Sequence, residues 1–201
     1  MGRMHPDDRR QAIVQAAVRV VTRKGLAAAT ARDVAAEMGS SSGLIHHYFD
    51  SMDDVLAAAF ELVAAADLDR TIGAMAGESG ASEKLRAFFA NYAPAEDDRT
   101  YQLWLDAWSE AARRPALRDT SLRLNEAWQQ ALAKVIRDGA EPGSRAAEDP
   151  DASAWRIISF LDGLALQVVA HRANISRSTA LGWAIALTEH ELGLESGTIG
   201  R

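Results

Sequence analysis

Three groups of residues in this 201-residue chain have the types and spacing to do chemistry. Ser41, Ser42, His46 and His47 set two hydroxyls and two imidazoles in one short stretch. Such groups donate hydrogen bonds to phosphate oxygens or base edges, and Leu44 between them can pack on a thymine methyl. Tyr101, Trp104 and Trp108 recur at helical spacing, so a phenol and two indoles share one stripe. That stripe reads either as core or as the wall of a pocket for an apolar or cationic molecule, with Trp128 and Trp155 as further lining. Asp162 is a carboxylate inside a strongly apolar segment, where a hydrogen bond to a neighbouring helix or second subunit is a better account than catalysis.

Other chemistries find no support. There is no Gly-rich phosphate loop, no His-Glu-x-x-His and no Gly-x-Ser-x-Gly, and the chain has no cysteine. His46 and His47 are adjacent, so on a helix they point about 100° apart, and no third ligand lies near. His190 stands between two glutamates and His171 before Arg172, as on helix surfaces. Neither an enzyme nor a metal or other cofactor is expected.

The elements that must position the first group follow from the residues around it. Thr30 is a good N-cap, Val34, Ala35 and Met38 share one face of the helix it opens, and Gly39 permits the left-handed turn that closes it. Ser40 to Ser42 offer hydroxyls to cap a second short helix, whose buried side is Ile45 and Phe49. Upstream, residues 7 to 24 form an amphipathic helix with Ile13, Ala16, Ala17, Val20 and Val21 on one stripe. Downstream, Ser51 caps a helix over 52 to about 72, with Asp53 and Asp54 in its first turn. Two short helices around a glycine turn, the second polar on its outer face, describe a helix-turn-helix or an ordinary αα-hairpin within a bundle.

The run Gly25, Thr30-x-x-Asp33-Val34-Ala35, Gly39-x-Ser41-x-Gly43-x-Ile45-x-x-Tyr48-Phe49, then Ser51-x-Asp53-Asp54-x-Leu56, resembles the TetR-type transcriptional repressors over residues 7 to about 60. More loosely, Trp104-Leu-x-x-Trp108-x-Glu110-Ala111, Pro115-x-Leu117 and Phe160-Leu-Asp162-Gly163-Leu164 are similar to the BetI-like subgroup. The resemblance implies double-stranded DNA as partner, read at a palindromic operator through Thr30, Arg32, Ser41, Ser42, Leu44, His46, His47 and Tyr48. It also implies a homodimer and a small ligand, in the BetI-like case a quaternary amine or a relative of one. His46 stands where the family often has a phosphate-contacting tyrosine, and Met52 where it commonly has a lysine. Both departures weaken anchoring to the DNA backbone.

Charge agrees on where a nucleic acid could bind. The net charge is −6, but the first fifty residues carry seven basic and five acidic side chains, and the remainder fifteen and twenty-three. Arg3, Arg9, Arg10, Arg32 and Lys24 are the phosphate candidates, while Arg19 and Arg23 read as solvated helix surface. The fold class is all-α, with a helix-turn-helix domain over 1–51 and a ligand-binding and dimerisation domain over 52–201.

Within the second part, Gly73, Gly77 and Gly80 mark an exit from the connecting helix. Ser82 to about Tyr92, Asp98 to Arg113, Leu117 to about Asp138 and Asp151 to Ala173 read as helices, separated at Pro94–Asp98, Pro115 and a loop over 139–153 containing Pro142, Gly143 and Pro150. Asp106 and Glu110 lie off the aromatic stripe, so neither is expected to face a ligand beside Trp104 and Trp108. The last helix, about Ser178 to Leu192, carries Leu181, Ile185, Thr188 and Leu192 on one stripe and Trp183, Leu187, His190 and Leu194 nearly opposite. One stripe faces inward and the other a second copy, so a homodimer through Leu161, Leu164, Val168, Trp183, Leu187 and His190 is expected. The longest apolar runs fall short of a bilayer span and no charged-then-apolar leader precedes the first helix, so a cytoplasmic protein without membrane contact is expected. Two competing readings are a helical ligand-binding or interaction protein that never touches DNA and a regulator without a small ligand.

Overall fold

The computed structural model describes residues 5–92, 99–139, 145–171 and 174–200, and every regular element among them is helical. In order these are α1 (Pro6–Lys24), α2 (Ala31–Glu37), α3 (Ser42–Tyr48), α4 (Met52–Ala76), α5 (Ala81–Tyr92), α6 (Arg99–Ala111), α7 (Pro115–Gly139), α8 (Arg145–Glu148), α9 (Pro150–Ala165) and α10 (Arg177–Leu192). Arg3, the break at Pro94–Asp98, Pro142, Gly143, Arg172 and Ala173 lie outside the described residues. The described residues of Met1–Ala65 and Arg99–Leu124 make one compact unit, and those of Ala66–Asp98 and Asn125–Arg201 a second.

In the first unit α1 begins with Pro6 at its first turn and Asp7 and Asp8 behind it, and ends on Arg23 and Lys24, each charge at the favourable end of the helix dipole. It buries Ile13, Ala16, Ala17, Val20 and Val21 against Leu26, Val34, Ala35, Ile45 and Phe49. Thr30 and Asp33 form a reciprocal capping box at the start of α2. Gly39 follows at φ +62°, the left-handed turn its residue type suggests. Ser41 is the N-cap of α3 by backbone conformation, but its hydroxyl makes no capping hydrogen bond, contrary to expectation. Ser51 does cap α4: its Oγ accepts from the Asp54 N–H at 3.2 Å and donates to the Asp54 carboxylate at 2.7 Å.

The second unit is built on Leu85, Phe88, Phe89, Trp128, Leu132, Ile136, Ile157, Ile158 and Leu161. Three expectations are corrected here. Gly73 lies inside α4, whose good helix formers carry it on to Ala76, so the exit begins later. The segment expected as loop contains the short helix α8. The helix expected to run unbroken to Ala173 ends its α geometry at Ala165 and continues as a five-residue π-helical turn, Leu166–Ala170, closed by the His171 N–H on the Leu166 carbonyl at 3.1 Å.

Helix α9 and this turn together span 21 residues, and an 18-residue stretch of them reaches a mean hydropathy of 1.3, long and apolar enough to cross a membrane by length and composition. The expectation that no run reaches that length counted unbroken apolar residues; the segment passes with Arg156 and Asp162 inside it, and Arg156 is paired with Glu191 at 2.5 Å.

Candidate nucleic-acid interface and ligand site

The recognition helix α3 is held from beneath by Ile45 and Phe49, both buried. That anchoring leaves Ser41, His46 and His47 exposed and Ser42, Leu44 and Tyr48 half-buried. The His47 ring meets the Tyr48 ring edge-on at 5.0 Å. Arg32 is exposed on α2, and Thr30 is exposed but has its hydroxyl committed to Asp33 at 2.7 Å. All eight residues of the sequence-derived DNA-contacting set therefore belong to one two-helix segment, with donors from α3 outward.

The surrounding cations are less available than their charges suggest. Lys24 Nζ donates to Asp33 at 2.5 Å, and that lysine, with the Thr30 hydroxyl, holds the Asp33 carboxyl below the usual range. Arg19 and Arg23 both donate to Glu37, at 2.7 and 2.8 Å, and depress its pKa likewise. They are solvent-facing, as expected, but also clamp α1 to α2. The Arg10 guanidinium lies 4.5 Å over the Phe49 ring, a cation–π contact between α1 and the residue that ends α3.

Helix α6 carries the aromatic stripe. Trp104 is buried, edge-on to Phe60 at 4.9 Å and 5.5 Å from Trp108. Tyr101 and Trp108 are half-buried. Trp104 is thus a core residue, and the part of the stripe that is not fully buried is Tyr101 and Trp108. Trp128 belongs to the second unit, where it packs on Tyr92 at 4.9 Å and Phe88 at 6.0 Å. Trp155 is 36% exposed on α9.

The opposite side of α6 does work the sequence reading missed. The Asp106 carboxylate accepts a long hydrogen bond, 3.4 Å, from the Leu26 N–H in the turn that leaves α1. Gly25 there has φ +79°, and a Cβ on it would stand 2.9 Å from the same carboxylate, so only glycine fits. Further along, Arg114 bridges Asp53, at the start of α4, and Glu110, a buried carboxylate held ionised by Arg114 and Arg113. The position of Asp106 off the stripe was the available signal; its partner, 80 residues away, was not.

On α10 the inward face is Ala180, Ala184, Thr188 and Glu189 rather than Leu181 and Ile185, which are half-buried. Trp183 is 49% exposed, His190 is exposed and Leu187 is half-buried. On α9 and the turn after it, Leu164 and Val168 are half-buried, whereas Leu161 is buried within its own chain. Among the described residues no group of three or more His, Asp or Glu side chains is arranged to hold a metal.

Residues 13–59 fit the model of the bacterial regulatory proteins of the tetR family, and residues 81–193 the model of the BetI-type transcriptional repressor C-terminal domain. The chain belongs to the TetR family. It is 30% identical over 186 residues to the transcriptional regulator BetI of Rhizobium meliloti, covering 90% of this chain and 86% of that one. The nicotine-responsive transcriptional repressor HdnoR of Paenarthrobacter nicotinovorans is 27% identical over 171 residues, covering 81% and 84%. A transcriptional regulator from Saccharomonospora viridis, crystallised with choline, superposes with a TM-score of 0.79 at 27% identity, over 92% of this chain and 97% of its own. TetR-family members of this type are DNA-binding transcriptional regulators, not enzymes, and so is this protein.

Proposed function

We propose that the protein is a cytoplasmic repressor that binds a palindromic operator as a homodimer through the 1–51 segment and is released by a small organic cation bound in the 52–201 segment. The observation that carries the reading is the double engagement of α6. Its one side presents Tyr101 and Trp108, and its other side holds the turn after α1 through Asp106 and the start of α4 through Arg114. A ligand that shifts α6 or α4 acts on the elements that set the attitude of α3. Ligand and operator then weaken each other's binding by the same factor.

Support for the cation comes from relatives, one crystallised with choline and another responsive to nicotine. Support for the dimer comes from Trp183 and Leu166, 49% and 38% exposed, with Leu164, Val168 and Leu187 partly exposed beside them in sequence on α9 and α10. Two recognition helices related by a two-fold axis read half-sites about 34 Å apart. No Arg or Lys lies on α3, so base reading falls to Ser42, His46, His47 and Leu44, and the strong arginine-to-guanine contact is absent.

The test is fluorescence anisotropy with DNA from upstream of the protein's own gene, a scrambled duplex as control, and choline as titrant. Saturable binding of two subunits per site is expected, weakened at least tenfold in the H46A/H47A double variant and by saturating choline. Equal, steeply salt-dependent binding to both duplexes would overturn the operator reading, and unchanged affinity at saturating choline would overturn its use as the releasing ligand.

A further inference from the structure

The second unit holds a carboxylate among aromatic rings that the helix-turn-helix chemistry does not use. Asp162 Oδ1 accepts a 2.6 Å hydrogen bond from the Tyr92 hydroxyl. The Tyr92 ring stacks on Phe88 at 5.2 Å and meets Trp128 edge-on at 4.9 Å, and Phe88 and Trp128 are 6.0 Å apart, so the three rings touch one another. Phe88 and Trp128 are buried, whereas Tyr92 and Asp162 are half-buried. Among the described residues no Lys, Arg or His is paired with Asp162. Burial raises its pKa to about 6, against the lowering effect of Tyr92, so near neutral pH it is an anion held at a cost without a counter-ion. The π-helical turn starts four residues later, at Leu166. Such turns widen a helix locally and recur at functional sites.

We propose that Asp162, with Tyr92 and Trp128, is the site that recognises the positive charge of a small organic cation. The carboxylate supplies the counter-charge and the rings supply the π faces, a pairing suited to a quaternary ammonium group, which carries charge but no hydrogen-bond donor. The Tyr92 hydroxyl orients the carboxylate by taking one oxygen, leaving the other for the ligand. This assigns the charge-reading role to a residue of α9 rather than to the stripe of α6 that sequence spacing singled out. It rests on the proposal of a cationic ligand and gives that ligand's charge a partner.

The experiment is calorimetric titration of the full-length protein with choline, tetramethylammonium and nicotine, and with 3,3-dimethyl-1-butanol, which has the shape of choline without its charge. The wild type is expected to prefer choline to the neutral isostere by tenfold or more. The D162N variant, isosteric and able to accept from Tyr92, is expected to lose that preference, and Y92F to retain at least part of it because its ring and the carboxylate remain. If a cation binds and D162N keeps the full preference, the site is wrong while the cationic-ligand reading stands. If none of the three cations binds the wild type, both fall together.

Discussion

The helix-turn-helix and the second unit satisfy their polar groups in opposite ways. In the former, partners are close along the chain: Thr30 with Asp33 at the head of α2, Ser51 with Asp54 at the head of α4, Lys24 with Asp33 across one turn. These groups are exposed or half-exposed, and each stabilises one helix end. In the second unit Tyr92 reaches Asp162 over 70 residues, Arg86 reaches the Ile199 carbonyl over 113, and Glu191 gathers Ser153 and Arg156 over 38 and 35. A local cap sets the angle at which α2 or α4 leaves its turn. A distant pair fixes how whole helices pack, and where it is buried it carries a penalty if left unmatched. The two regions should therefore respond very differently to loss of one partner.

The largest effect belongs at Arg114, which lies in the first unit but outside the helix-turn-helix and, like the pairs of the second unit, holds a buried group. Glu110 is 9% exposed at its side chain and takes hydrogen bonds from Arg114 at 2.8 Å and Arg113 at 2.7 Å. Replacing Arg114 by Met leaves a buried carboxylate with one partner, and losses of about 3 kcal/mol accompany such changes. The R114M variant should unfold at correspondingly lower urea, and R114M/E110Q should recover part of the loss because the charge is gone. The lowered pKa of Glu110, caused first by Arg114 and then by Arg113, makes this contribution complete above the ordinary carboxylate range and lost as pH falls. A double variant no more stable than R114M would show that the arginine's packing, not the pair, matters.

Asp162 gives the next effect, with the opposite sign. Its carboxyl stays protonated up to about pH 6 in the folded chain because it is buried. In the unfolded chain it ionises near 3.9, so between those values the folded state binds more protons and stability falls as pH rises. The penalty is absent below about pH 4 and complete above about pH 6. At roughly 1.4 kcal/mol per unit it amounts to about 2–3 kcal/mol. Urea melts of D162N should therefore show a gain of that size at pH 7.5 and none at pH 4. An equal gain at both values would mean that the asparagine packs better and that ionisation plays no part.

This contrast also explains what could be read from residue order. Thr30, Gly39, Ile45, Phe49 and Ser51 declare the helix-turn-helix because their reasons are short-range: a cap, a left-handed turn, a four-residue apolar spacing. The helices of the rest were legible to within a few residues for the same reason. The ligand side was not. A stripe such as Tyr101, Trp104 and Trp108 has the same period whether it is core or pocket, and Trp104 proved to be core against Phe60. Asp162 stood out as a carboxylate bonded to another helix, but nothing in its neighbours names Tyr92. Leu161 likewise stood with Leu164 and Val168 on the expected dimer face, but it lies three and four residues after Ile158 and Ile157, on the face that they bury inside the chain. The Asp106 contact with Leu26 depends on two turns meeting, which periodicity does not encode.

The smallest effect tests the local side of the comparison. Thr30 is exposed, and its Oγ accepts from the Asp33 N–H at 3.2 Å while its own N–H donates to the Asp33 carboxylate at 3.1 Å. Thr30→Ala removes one of these two bonds, together with the 2.7 Å bond from its hydroxyl to Asp33. The cost expected for a lost N-cap is about 1 kcal/mol. That is a third of the Arg114 effect, although Thr30 belongs to the proposed DNA-contacting set and Arg114 does not. Hydrogen exchange in T30A should speed at the first amides of α2, Asp33 above all, and leave α9 and α10 unchanged, since the one bond of the cap that leaves its own turn, from Lys24 to Asp33, comes from α1. Operator affinity should fall only in proportion to the loosened attitude of α2 beneath α3, by severalfold rather than by orders of magnitude. A T30A effect that spread to the amides of α10 would break the distinction, because the cap would then be coupled to the packing of the second unit.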